Sequence, residues 1–252
     1  MFIIFILFFL NVFQNCESTY QPAEPERKDQ HVILLHGLAR TNHSMKKIEN
    51  SLLKQGYGVI NVDYPSTKYP IEILSDKMLN DVIEKHFKTS SSKIHFVSHS
   101  LGGIVIRYYL KHHELSNLGR IVMISPPNQG SELVDYFKDT FLFKMFVGPG
   151  ALQLGTENSG LLLNLGPVDF ELGVIAGSKS ISPLYSMMLP GPDDGVISVE
   201  RTKVAGMTDF LVLPYSHPFI VKSDEVIEQV IYFLEHGRFE HKSSDKGKTD
   251  LK

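Results

Sequence analysis

Cysteine is almost missing from this chain. Cys16 is the single one among 252 residues, so no intrachain disulfide can form. No Cys/His pair stands at zinc spacing, which removes the small metal-stapled scaffolds. Tryptophan is absent, so aromatic packing falls to 16 Phe and 10 Tyr. A basic surplus is lacking too. The 25 Lys and Arg face 28 Asp and Glu, for a net charge of −3, and no stretch gathers cations densely enough for a nucleic-acid surface. No apolar run reaches the ~20 residues that a spanning helix needs.

What is present fits one globular domain with a sizeable core. Hydrophobic residues make up 42% of the chain and charged residues 21%. The first 18 residues stand apart. Phe2 to Leu10 is unbroken apolar sequence, extended to Phe13 through Asn11 and Val12. That length suits a signal-peptide core, and small residues in Cys16-Glu17-Ser18 predict cleavage after Ser18 and export to the periplasm or medium. No Lys or Arg precedes the run, so the alternative is an N-terminal anchor that stays attached. Phe13-Gln14-Asn15 lacks the leucine and small residues that lipid attachment at Cys16 would show. Residues 19–30 are polar with two prolines and read as a linker, with the ordered chain beginning at His31.

From His31 the chain alternates strand and helix patterns. His31-Val32-Ile33-Leu34-Leu35 is a continuous apolar run, as for a strand buried on both faces. Met45, Ile48 and Leu52 share one helix face, ended by Gly56. Residues 57–62 form the second strand, and Ile71, Leu74, Met78, Val82 and His86 recur at helical spacing. Further strands fall at 93–97, 121–124, 172–176 and 210–213, and Ser223 caps a last helix ended by Gly237. Residues 238–252 read as a polar, disordered tail. The pattern predicts an α/β fold: a compact, mostly parallel six-stranded sheet with helices on both faces, spanning 31–237.

The loops at strand ends carry the chemistry. Ser98-His99-Ser100-Leu101-Gly102-Gly103 sits between a strand and a helix, the context of a nucleophile elbow. The turn lifts the Ser100 hydroxyl above the strand end, with small residues on both sides keeping strand and helix apart. Serine needs a base to take its proton, and a carboxylate to orient that base. Downstream of Ser100 the histidines are His112, His113, His217, His236 and His241, and His217 is the one that follows a strand end. In Pro192-Asp193-Asp194-Gly195, Asp194 is placed at a tight turn by Gly195, with Asp193 the competitor. Whichever aspartate is not used takes an Asx-turn role. An oxyanion needs two backbone donors, here the N–H groups of Leu38 and Leu101. Gly37 lets the first loop approach closely, and His36 shapes that loop by hydrogen bonding. His99 borders the serine but points elsewhere.

Taken in order, His36-Gly37-Leu38, the 98–103 motif, Asp194-Gly195 and His217 resemble an α/β-hydrolase of the bacterial lipase and esterase type. The resemblance covers 31–236. It implies hydrolysis of carboxylic esters through an acyl-enzyme, with a small-molecule ester or lipid as substrate and no metal or cofactor. Ser98 stands where the motif usually has glycine. The apolar insertion at 141–147 reads as a lid or acyl wall, with Phe143 and Phe146 as substrate-binding residues, and as the surface for transient membrane or lipid contact. The alternative there is an ordinary amphipathic helix buried on the sheet. Two rival functions share the scaffold: an acyltransferase with the same triad, and a non-catalytic binding protein.

Overall fold

A computed structural model describes residues 17–22, 24, 27, 29–88, 91–156 and 160–241. The apolar run at 2–13, Cys16 and residues 242–252 lie outside the described residues. The elements run β1 (Glu17–Gln21), β2 (Gln30–Leu35), α1 (Lys46–Lys54), β3 (Gly58–Asp63), α2 (Ile71–Ile73), α3 (Asn80–Phe87), β4 (Lys93–His99) and α4 (Leu101–His112). They continue with β5 (Leu118–Ile124), α5 (Glu132–Phe137), α6 (Phe141–Leu152), α7 (Gly160–Leu165), β6 (Leu172–Gly177), α8 (Pro183–Ser186), β7 (Asp209–Leu213) and α9 (Asp224–His236).

The sheet has the order β1-β3-β2-β4-β5-β6-β7. All neighbours are parallel except β1, which pairs antiparallel with β3 from Glu17↔Asp63 to Gln21↔Val59. Side-chain alternation splits the apolar strands between two layers. Ile33, Leu35, Phe96, Met123 and Val174 meet α2, α3 and α4 on one face. Val32, Leu34, Val97, Val122 and Ile175 meet α1 and α9 on the other. Each fully buried aliphatic or Phe side chain contributes about 1.5–3 kcal/mol, which short helices such as α1 need because they are marginal alone. The Ser223 hydroxyl caps α9 by accepting from the Val226 N–H, and Gly237 ends it in the left-handed region at φ 71°.

Several boundaries differ from the sequence reading. The sheet has seven strands rather than six. The ordered chain starts before His31, because residues 17–21 of the expected leader and linker form β1, and cleavage after Ser18 would fall inside that strand. Its polar residues suit a sheet edge, where one row of backbone groups faces out, so no apolar signal announces it. Tyr20 ties the strand down by stacking on His86 at 5.1 Å and by its hydroxyl at 3.3 Å from His31 Nε2. The tail is ordered through His241. Phe239 is buried against Phe233, its N–H donates to Asp209, and Gln229 pairs with the Glu240 backbone. Between α2 and α3 the chain makes a π-helical stretch, Leu74–Leu79. The wider turn advances the buried face by one residue, so Leu79 is buried where spacing pointed to Met78.

Candidate active site

The carboxyl ends of the parallel strands gather the loops at one edge. After β4 the chain turns sharply, and Ser100 adopts φ 52° and ψ −123°. That conformation is uncommon for a residue with a side chain, and it is held by the Ser100 N–H bonding Ile124 O at 2.9 Å and by α4 starting at once. The helix can start there because Gly102 and Gly103 have no Cβ. A Cβ on Gly102 would lie 2.8 Å from Leu35 O, and one on Gly103 would lie 3.1 Å from Met123 Sδ. Ser98 is accommodated without glycine, its side chain fully buried between β2 and β5 neighbours Leu35 and Met123. Leu101 is the first residue of α4, so its N–H is one that helix geometry leaves unpaired.

The loop after β2 abuts the elbow. A Cβ on Gly37 would lie 2.8 Å from His99 Nδ1 and 3.2 Å from the Ser100 Cβ, so only glycine lets the two turns touch. His36 shapes this loop from inside. Its Nδ1–H donates to Gly37 O at 2.8 Å, its ring stacks on Tyr64 at 4.2 Å, and the Tyr64 hydroxyl donates to His36 O. Ala39, in the left-handed region at φ 53°, turns the chain after Leu38, and its N–H is held by the Ser66 hydroxyl at 3.0 Å.

Asp194 and His217 meet directly. His217 Nδ1 lies 2.7 Å from Asp194 Oδ2, and the His217 N–H donates to Asp194 O at 2.9 Å. Asp194 is 1% exposed, and its Oδ1 accepts the N–H groups of Val196 and Ile197 at 3.0 and 2.8 Å. The buried carboxylate thus accepts two backbone N–H bonds on one oxygen and faces the imidazole with the other. Asp193 does something else. Its Oδ1 accepts from Gly195 N–H at 2.7 Å and from the Ser186 hydroxyl at 3.0 Å, an Asx turn that fixes the loop.

His99 connects the two halves of the site. Its Nε2–H donates to His217 O at 3.0 Å, and its ring centroid is 4.7 Å from that of His217. Among the described residues no hydrogen bond joins Ser100 Oγ to His217, and contacts of this kind often tighten once substrate is bound. The sequence places His99 beside the serine and pointing elsewhere, without indicating its partner. Its partner lies 118 positions along the chain, beyond any local signal.

The insertion at 141–147 begins α6. Gly148, at φ 75° and ψ 175°, kinks the helix where its backbone packs on the loop before α2, with a virtual Cβ only 1.7 Å from Thr67 O. Beyond the kink, Gln153 binds Ile71 N–H and Glu72. Before it, Phe143 and Phe146 are half-buried, with Phe143 against Phe137 at 6.1 Å, while Phe141, Leu142 and Met145 are exposed. An apolar helix with an uncovered apolar side is not an ordinary amphipathic core helix.

Comparison with known proteins agrees with this architecture. Residues 25–128 match the model of a family described as Putative serine esterase (DUF676). No curated protein sequence matches the chain. Among solved structures, the mature lipase BlEst2 of Bacillus licheniformis aligns at TM-score 0.70 and 18% identity, over 86% of this chain and 98% of that one. The Pyrococcus furiosus esterase Pf2001 aligns at TM-score 0.55 and 22% identity, over 88% and 90% of the two chains. Phospholipase PlaB of Legionella pneumophila aligns at TM-score 0.56 and 19% identity, over 69% of this chain and 45% of that one. At these identities the likeness is one of fold. The chain has the α/β-hydrolase fold of bacterial lipases and esterases, and the part that matches the serine esterase model carries the 36–38 loop and the elbow.

Proposed function

We propose that this protein is an exported serine hydrolase of carboxylic esters working through an acyl-enzyme. Ser100 Oγ attacks the acyl carbon while His217 Nε2 takes its proton, and the carbonyl electron pair moves onto oxygen. The N–H groups of Leu38 and Leu101 hold that oxyanion. As the C–O bond to the alcohol breaks, His217 returns the proton to the leaving oxygen. A water then repeats the sequence on the acyl-enzyme and frees the acid. Asp194 keeps the His217 Nδ1–H in place, so that Nε2 is the basic nitrogen, and stabilises the cation formed at each transfer.

The observation that carries this reading is the 2.7 Å contact between His217 Nδ1 and the buried, triply bonded Asp194. A structural histidine on a solvated loop would not need a carboxylate partner sealed from water. The matches to a serine esterase model and to lipase and esterase structures support the same class. Half-buried Phe143 and Phe146, with exposed Phe141 and Met145 beside them, support an acyl wall and a lipid-facing side on α6. Export rests on the apolar run at 2–10, and N-terminal sequencing of the secreted protein tests it. The reaction is tested with p-nitrophenyl esters of rising chain length. Wild-type protein should hydrolyse them, and a folded Ser100→Ala variant should lose at least about 10³-fold in kcat, as removal of a nucleophile does. Equal activity in the two proteins would refute the assignment.

A further inference from the structure

His217 has to keep its register with Ser100, yet the sheet supplies no direct link between them. Ser100 follows β4 and His217 follows β7, and β5 and β6 lie between those strands. The loop at 214–219 is tied to its own neighbourhood, through His217 N–H to Asp194 O and Phe219 N–H to Ser216 O. A polar link from this loop back to β4 is the His99 side chain.

The chemistry of that side chain is fixed by its partners. A carbonyl oxygen only accepts, so Nε2 carries the hydrogen in the 3.0 Å bond to His217 O. Nδ1 is then the bare nitrogen, buried and without a partner, lying against the backbone of Gly37. Burial holds the His99 pKa well below the ordinary histidine value, with His217, Arg40 and His36 adding to the effect, so the ring is neutral. A charged ring would place a second N–H against Gly37 with nothing to accept it. One rigid imidazole therefore touches three loops: its own elbow, the 36–38 loop on one side and the His217 backbone on the other.

We propose that His99 is a positioning residue that sets the distance of the base and of the oxyanion loop from Ser100. Its hydrogen bond goes to backbone rather than to a reacting atom; it acts by holding His217 O with Nε2–H and by seating Gly37. This rests on the triad reading above. An error of about 1 Å in such a site costs on the order of 100-fold in rate, whereas the binding of a small substrate is insensitive to it. The expected signature is a loss in kcat with little change in KM.

The test compares His99→Phe, which keeps a ring without a donor, with His99→Gln, whose amide nitrogen reaches the Nε2 position. Both are measured in the full chain for kcat and KM on a short-chain p-nitrophenyl ester and for the rate of labelling by a fluorophosphonate. His99→Phe should lower kcat and the labelling rate by roughly 10- to 100-fold with KM within about twofold, and the label should still reach the wild-type end point. His99→Gln should recover most of that loss. If His99→Phe gives no cooperative melt, His99→Leu carries the same comparison with a smaller apolar side chain. Wild-type rates in the donor-less variant, or equal losses in both variants, overturn the proposal. A wild-type protein that the probe leaves unlabelled overturns the triad reading instead, and the role of His99 with it.

Discussion

Two adjacent aspartates with different partners give the sharpest expectation for single residues. Asp194 offers Oδ2 to His217 and Oδ1 to two backbone N–H groups, whereas Asp193 closes its own turn on Gly195 and Ser186. Asp194→Asn replaces a charge that faces the imidazole with an amide that favours the wrong tautomer. It should cost roughly 10³- to 10⁴-fold in kcat. Asp193→Asn keeps an acceptor for Gly195 N–H and should cost less than about tenfold. The two kcat values on one ester, with thermal melts as controls, check this, and a crippled Asp193→Asn beside an active Asp194→Asn would reverse the roles. Ser100 and His217 are legible in the sequence because each follows a strand end, and the 193–194 pair because turn residues surround it. The choice between the aspartates rests on Gly195, which adopts φ 95° right after Asp194, and it is Asp194 that meets His217. His99 is not legible in the same way, since its role lies in a contact across the sheet.

Under the proposed function, helix α6 is the element on which substrate preference would turn. Gly148 and Gln153 dock its second half, so the first half projects with Phe143 and Phe146 inward and Phe141, Leu142 and Met145 outward. Replacing Phe143 and Phe146 by Ser should reduce kcat/KM on an octanoyl ester at least about tenfold more than on an acetyl ester. The reason is that each extra buried methylene is worth about 0.8 kcal/mol of binding. Equal losses on both esters would place these rings in the core rather than in an acyl wall. The sequence shows that this segment is apolar and follows a strand, but not that it bends. The bend depends on Gly148 meeting Thr67 from another element. The same limit applies elsewhere. Spacing alone places Met78 on the buried face, while the π turn puts Leu79 there, and a polar edge strand such as β1 carries no apolar pattern to read. The parallel centre of the sheet is legible because burial on both faces demands unbroken apolar runs, as at 32–35 in β2 and 121–124 in β5.

For the molecule as a whole, buried neutral histidines set the response to acid. His95 lies under the amino-terminal edge of the sheet, where its Nδ1 accepts the Arg120 N–H at 2.9 Å. Burial, with Arg120 and Lys93 adding to it, pushes its pKa down to about 4. The unfolded chain would take up a proton on this residue near pH 6.5, while the folded protein resists until much lower pH. The unfolded state therefore binds more protons between those values, and stability falls as pH drops from about 6.5 toward 4. From pH 7 to pH 5 the loss through this one group is about 2 kcal/mol. Urea unfolding of wild type and His95→Gln at the two pH values checks it. The variant should be less stable at pH 7, and the gap should narrow at pH 5. A gap that stays constant or widens on acidification would contradict a neutral buried His95.

The proposed reaction requires Ser100 to be an activated nucleophile, and covalent labelling reads that directly. The protein is incubated with a fluorophosphonate, digested, and the adduct located by mass spectrometry. A single adduct is expected on the peptide that carries Ser100, lost in Ser100→Ala and slowed by orders of magnitude in Asp194→Asn. An adduct on another residue, or a folded wild-type protein that stays unmodified, would contradict it.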